Sequence, residues 1–178
     1  AVPTIYHMVY AASESLDVDL STVRFGICAG SPLSMELRRK FESTFHFRII
    51  HCYGMTEISL IAACESPAWE PKGISVGHVM PYIRLRILRD DGDEAGEGEV
   101  GEIQIGAERA LQAYWDSPAE TAEALRDGWF ATGDIGHLDA DGVLDLVVAN
   151  DSTPSYLYQN RKDGTFEDVA LLSGVAVS

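Results

Sequence analysis

The sequence predicts an α/β protein: a layered helix-and-sheet segment, then a β-barrel-like antiparallel segment, then a short all-β tail. Three observations predict it. Strand-like apolar runs alternate with helical apolar spacing in the first third. After Pro81 the pattern changes to apolar–polar alternation. From about Asp145, short runs are broken by polar turn residues.

Residues 4–12 are apolar nearly all round and read as a mostly buried helix. Val23 to Cys28 reads as a buried strand. Ser31-Pro32 offers a cap and a first-turn proline for a helix through Phe41, with Leu33, Leu37 and Phe41 as its core-facing stripe. Arg48 to Cys52 is the next strand. Tyr82 to Leu88 reads as a half-exposed strand, Arg89 to Gly98 as a turn, and Glu99 to Gly106 as the returning strand. Ser117-Pro118-Ala119-Glu120 is a capping box for a helix to Leu125. Leu138 to Leu144 is a tight hairpin around Asp141-Gly142.

Bulk properties exclude some functions. A chain of 178 residues accommodates one domain plus a small appendage. Its 28 acidic against 13 basic residues give a net charge of −15, which repels phosphate backbones and argues against a nucleic-acid partner. The apolar runs fall far short of a membrane span. No basic-then-apolar leader opens the chain, whose first residues read as mid-domain sequence. Cys28, Cys52 and Cys64 are odd in number and lack metal-ligand spacing. They read as buried free thiols of a reducing, cytoplasmic compartment rather than disulfides or zinc ligands. His7 and His51 sit on apolar elements and read as core histidines, with His7 also bordering an acyl pocket.

The run with most chemistry is Tyr53-Gly54-Met55-Thr56-Glu57, directly after a strand. Upstream lies Ala29-Gly30-Ser31-Pro32-Leu33; downstream lie Gly98-Glu99-Val100-Gly101-Glu102, Ala113-Tyr114-Trp115 and Trp129-Phe130-Ala131-Thr132-Gly133-Asp134. Taken singly, each has a plain reading: a turn at Asp134, a helix start at Thr56 and Glu57, a core position for Tyr53. Together, their order and spacing resemble the AMP-binding superfamily of adenylate-forming enzymes over roughly residues 1–144. That superfamily includes acyl- and aryl-CoA synthetases, peptide-synthetase adenylation domains and luciferases.

The resemblance implies a partial adenylate-forming N-terminal domain, truncated at both ends. It implies ATP-dependent activation of a carboxylic acid to an acyl-adenylate, then thioester formation with coenzyme A. In-line phosphoryl chemistry is mainly positioning and charge neutralisation, and the residue types suit it. Thr56 and Glu57 are implied as catalytic: a hydroxyl for a phosphate oxygen, and a carboxylate for Mg²⁺, a hard cation that wants oxygen. Gly30, Ser31, Tyr53, Gly54 and Asp134 are implied as nucleotide contacts. Gly30 and Ser31 line the adenine pocket, Tyr53 offers its ring face to adenine, and Gly54 permits close backbone approach. Asp134 accepts from both ribose hydroxyls. Two family elements are absent. No Ser/Thr/Gly-rich triphosphate loop with a lysine occurs, and Ala149 stands where the family has a ribose-contacting arginine. ATP binding is therefore expected to be weak and the activity incomplete.

The tail resembles something else. Asp145 to Asn150, Tyr156 to Asn160 and Asp163 to Val169 are similar to an FG-GAP (integrin-α/VCBS-type) repeat over about residues 139–178. That resemblance implies a weak Ca²⁺ site at Asp139, Asp141 and Asp145, with His137 at the first ligand position. A hairpin turn with solvated aspartates is an equal reading. The two resemblances overlap at Asp139 to Leu144, which divides the chain into residues 1–144 and 145–178 and implies a fusion. One repeat cannot bury its sheet faces alone, so residues 150–178 are expected to be mobile or swapped onto a partner. Three functions follow: an acid–CoA ligase fragment acting on a small-molecule carboxylic acid, a non-enzymatic calcium-binding interaction module, or a structural fragment whose one robust property is folding. Uncovered apolar surface predicts self-association.

Overall fold

A computed structural model describes residues 1–59, 61–73, 75–147, 158–160 and 166–168. Helix α1, Pro3–Ser13, opens with proline in its first turn, where the missing N–H costs nothing. The predicted burial is not found: Ile5 and Met8 are 46 % and 60 % exposed, and Tyr6 is the helix's buried residue. Tyr6 anchors α1 by donating its hydroxyl to the Ile27 carbonyl at 2.8 Å and by meeting Phe41 edge-on at 5.0 Å.

Strands β1, Phe25–Cys28, and β2, Arg48–Tyr53, are parallel, and helix α2, Met35–Phe45, connects them. β1 is an edge strand rather than a buried one, with Phe25 and Ile27 both 43 % exposed. The α2 cap is Ser34, whose side chain accepts the Leu37 N–H at 3.2 Å; it is not Ser31-Pro32. A residue preceding proline resists helical ψ, and Gly30 turns the chain at φ +81°, so Ser31-Pro32 stays in the loop. Leu33 and Phe41 are fully buried and Leu37 partly, as their spacing predicts.

Buried Arg38 ties α2 to the sheet. Its Nη1 and Nη2 donate to Glu65 at 2.9 and 2.6 Å, its Nε to Glu42 at 3.3 Å, and Nη2 also to the Ile49 carbonyl. Glu42 and Glu65 in turn accept the backbone N–H groups of Ile49 at 2.7 Å and His51 at 2.8 Å. Beyond β2 the sheet continues antiparallel through β3, Ala63–Cys64, and β4, His78–Val79. Gly77 passes so close to this ladder that a Cβ would lie 2.2 Å from the Cys64 carbonyl oxygen, and its φ of +84° also favours glycine.

The second sheet is antiparallel, as the alternation predicts. It comprises β5, Leu85–Leu88; β6, Gly101–Gly106; β7, Leu125–Arg126; β8, Trp129–Leu138; and β9, Leu144–Val147. The order is β5-β6-β8-β7, with β9 also on β8. The strand begins at Leu85 rather than Tyr82, because Ile83 closes a turn by donating to the Met80 carbonyl at 2.9 Å. Helix α3, Pro118–Ala124, precedes β7, but no capping box forms. Instead Thr121 Oγ1 accepts the Tyr114 N–H at 2.9 Å and donates to the Ser117 carbonyl at 2.8 Å. The sheets are joined where Val76 donates to the Leu144 carbonyl and Leu144 to the Gly77 carbonyl.

In the tail, β10, Tyr158–Asn160, pairs antiparallel with β11, Phe166–Asp168. The other positions in 150–178, and Ala149, lie outside the described residues, and with them the expectations placed there. The division expected after residue 144 passes through β9, which pairs with β8 along its length. Among the described residues, no helix is long and apolar enough to cross a membrane.

Removing one partner of a buried ion pair leaves the other charge uncompensated, at about 3–5 kcal/mol. Arg38→Met, which keeps most of the volume but strips Glu65 of its guanidinium partner, is expected to lower unfolding free energy by about that much. Urea titration followed by circular dichroism measures it.

Candidate functional site

Gly30-Ser31 follows β1 and Gly54 to Glu57 follows β2, so both loops leave the carboxyl ends of adjacent parallel strands. That is the edge at which open α/β sheets take ligands. His51, 2 % exposed, ties the first of these loops to the segment before β4: its Nε2 lies 3.3 Å from the Ser31 carbonyl and its Nδ1 3.2 Å from that of Ser75. Burial holds its imidazole below the usual pKa, so it is a neutral structural group with one N–H to share. His7, by contrast, is exposed and no core residue.

Tyr53 ends β2, and its hydroxyl donates to Asp134 Oδ2 at 2.6 Å across the gap between the two sheets. Its ring belongs to the core and is 6 % exposed, so its faces are covered and the hydroxyl is what reaches the carboxylate. The chain then turns sharply. Thr56–Ile58 is a single 3₁₀ turn ended by Ser59 at φ +62°, and the Ala62 N–H returns to the Tyr53 carbonyl at 2.8 Å. Thr56 is exposed and Glu57 half-buried. The Glu57 carbonyl accepts the Leu111 N–H at 2.6 Å, and its carboxylate has a long 3.5 Å contact from the Tyr114 hydroxyl. An open pocket lined by Tyr114, Ser117, Pro118 and Thr121 adjoins Glu57 through that tyrosine.

Asp134 is aimed by an irregularity in β8. The β6–β8 register shifts between Glu102 and Gln104, the kind of bulge that re-aims a side chain. Gly133 adopts φ +75° there and donates its N–H to Glu102 at 3.2 Å. Thr132 Oγ1 donates to the Ile103 carbonyl at 2.7 Å and accepts the Asp134 N–H at 3.1 Å. Burial raises the Asp134 carboxyl above the ordinary range, and the Tyr53 hydroxyl partly offsets this by favouring the anion. The Tyr53 hydroxyl is itself pushed far up, by burial and by the Asp134 charge. Among the described residues neither Glu57 nor Asp134 has an ion-pair partner.

The three hairpin aspartates, the expected calcium ligands, have other partners. Asp139 Oδ1 accepts the Asp141 and Val143 N–H groups at 3.0 and 2.8 Å, the role of a turn residue. Lys72 lies 2.8 Å from Asp141 and 3.5 Å from Asp139, while Asp145 faces His137 at 3.3 Å. Among the described residues no three metal-ligating side chains converge. Thr132, Glu102 and Tyr114 were given no role from the sequence. Thr132, two residues before an Asp in a Gly-containing turn, carried a local hydrogen-bonding signal; Glu102 and Tyr114 act across long sequence separations and carried none.

Comparison with known proteins gives a consistent picture. The model of the AMP-binding enzyme family matches residues 1–115, and that of the FG-GAP-like repeat matches residues 137–176. A long-chain-fatty-acid–CoA ligase of Haemophilus influenzae is 31 % identical over 173 residues, covering 97 % of this chain and 31 % of the ligase. An indoleacetate–CoA ligase of Aromatoleum aromaticum is 36 % identical over 144 residues, covering 80 % of this chain and 28 % of that protein. The chain thus spans about three tenths of these relatives' length. Among solved structures, an O-succinylbenzoate–CoA synthetase of Bacillus subtilis in complex with AMP superposes with a TM-score of 0.70 at 26 % identity. The match covers 83 % of this chain and 30 % of that one.

The Tyr53 hydroxyl lowers the Asp134 pKa, so Tyr53→Phe is expected to raise it further. A carboxyl-carbon NMR titration reads this directly, and an unchanged midpoint would remove the bond from the account. Thr132→Val, which loses both hydrogen bonds of that hydroxyl, is expected to cost about 1–3 kcal/mol in denaturant unfolding, whereas Thr132→Ser stays near neutral.

Proposed function

This chain belongs to the AMP-binding enzyme family, and from that premise we propose that it carries the adenosine-nucleotide-binding part of an acid–CoA ligase. The proposed activity of the whole ligase is ATP-dependent conversion of a carboxylic acid to acyl-AMP, with release of pyrophosphate, followed by transfer of the acyl group to coenzyme A. The observation that carries this reading is the pair Glu57 and Asp134. Both carboxylates are partly buried, stand at the carboxyl edge of the parallel strands or across from it, and lack a cation among the described residues. In a chain where other acidic groups such as Glu65, Glu108 and Asp141 pair with Arg or Lys, that is a site built for a ligand.

In this proposal Asp134, steadied by Tyr53, Thr132 and the Glu102–Gly133 bond, accepts from the ribose hydroxyls. Adenine lies over the Gly30-Ser31 and Tyr53-Gly54 segments, where glycine lets the backbone come close. Glu57 holds Mg²⁺ through its half-buried carboxylate, and exposed Thr56 donates to a phosphate oxygen. Bound ATP and Mg²⁺ supply the electrophilic phosphorus, the leaving pyrophosphate and the charge neutralisation. The protein's contribution is to fix sugar, base and metal in one orientation. A reducing, cytoplasmic setting agrees with three unpaired thiols. Self-association through the open β1 edge and the exposed face of α1 agrees with Phe25, Ile27, Ile5 and Met8 in solvent.

Calorimetric titration with AMP tests the reading. Saturable binding is expected, about tenfold or more weaker in Asp134→Asn, since a hydrogen bond to a charged group contributes about 1.5–3 kcal/mol. Loss of preference for AMP over its 2′,3′-dideoxy analogue should accompany that change; no saturable binding by the unaltered protein would overturn the proposal. Pyrophosphate exchange with long-chain and aromatic acids reports whether these residues also turn over.

The pH dependence has a definite sign. Only ionised Asp134 offers acceptors to both hydroxyls, and its raised pKa brings protonation on at higher pH than for an ordinary aspartate. Binding of adenosine, which has no phosphate of its own to titrate, is therefore expected to weaken as pH falls through that raised value. Asp134→Asn should flatten the profile.

A further inference from the structure

The antiparallel pairing of β2 with β3 sets Cys52 directly opposite Cys64. The neighbouring Glu65 N–H donates to the His51 carbonyl at 2.9 Å, which makes the cysteines a non-hydrogen-bonded pair of the ladder. At such positions the Cα atoms stand about 4.5 Å apart and both side chains leave on the same face. That lies within the roughly 4.4–6.8 Å over which a disulfide closes without moving the backbone. Both residues are free thiols. Cys52 is 2 % exposed and Cys64 only half-buried, so one member can be reached from solvent. The residues they bracket include Tyr53, Gly54, Thr56 and Glu57.

We propose that Cys52 and Cys64 are a redox-active pair that closes, by exchange with a small-molecule disulfide, into a cross-strand bridge locking the Tyr53–Glu57 turn. Cys64, the member that solvent reaches, is the attacking sulfur, while Cys52 is sealed in the core behind it. Its thiolate forms a bond to one sulfur of the small disulfide, whose S–S bond breaks and releases one small thiolate. The Cys52 sulfur then attacks Cys64 Sγ, passes its proton to the departing thiolate, and expels the second small thiol. Two protein thiols are oxidised to one disulfide, and one small disulfide is reduced to two thiols. Cys28 serves as an internal control: it is fully buried on β1, and burial pushes its thiol up to about 11. This inference does not depend on nucleotide binding.

The experiment treats the intact folded chain with oxidised glutathione, then alkylates in denaturant and maps the peptides by mass spectrometry. The expected result is a Cys52–Cys64 link, a total mass lower by two hydrogens, and alkylation of Cys28 alone. Dithiothreitol should restore three alkylated cysteines. Cys28→Ala should leave the link unchanged, while Cys64→Ala should abolish both the link and any glutathione adduct. Closure should also slow amide exchange at Tyr53 to Ile58 by roughly tenfold, reversibly. A persistent glutathione adduct on Cys64, a link involving Cys28, no reaction at all, or unchanged exchange after closure would each overturn the proposal.

Discussion

The structure depends on one buried cation. Arg38 lies under the sheet with its guanidinium shared between two glutamates and a strand carbonyl, and those glutamates complete the far edge of β2. β1 satisfies one side of β2, but β3 is two residues long and pairs only with Cys52 and Tyr53. The N–H groups of Ile49 and His51 on the open side would otherwise be buried without partners, an expensive condition. Glu42 and Glu65 take them, and Arg38 makes it tolerable to bury those carboxylates. Burial alone would pull the guanidinium pKa down, yet contact with Glu65 and Glu42 raises it on balance, so the charge is kept.

That arrangement decides where β2 ends, and the end of β2 is the candidate site. Tyr53 emerges from a strand held by side chains rather than by a full ladder, then reaches across to the second sheet. There the β8 bulge, clamped by Glu102 and Thr132, turns Asp134 toward it. A 2.6 Å bond between a phenol and a partly buried carboxylate thus joins two sheets that also share backbone bonds around Val76, Gly77 and Leu144, the Ser75 hydroxyl on the Leu144 carbonyl, and one apolar core. The same segment of β2 carries Cys52 into register with Cys64, which couples thiol chemistry to the turn bearing Thr56 and Glu57.

Much of this was legible in the chain. The helix–strand alternation of the first third, the antiparallel second sheet and the Asp-Gly hairpin follow from hydrophobic periods and turn residues, which are local properties. Failures occurred where two local signals competed or where a partner was distant. Ser31-Pro32 and Ser34 are both credible caps, and only the Gly30 turn decides between them. The Ser117 box was displaced by Thr121, whose hydroxyl found a carbonyl and an amide of the preceding loop. Lys72, far away in sequence, folds against Asp139 and Asp141, a contact that no local spacing announces.

The sequence by itself determined the family and the order of elements, because motif order and apolar period survive without coordinates. Tertiary structure alone decided which carboxylates are available. Glu57 and Asp134 are half-buried without a cation, whereas the hairpin aspartates are occupied by Lys72, His137 and their own backbone. Tertiary structure also placed Tyr53 against Asp134 and Cys52 against Cys64. The physical reason is that availability and reactivity depend on what surrounds a charged or nucleophilic atom, and those surroundings are assembled from residues distant in the chain.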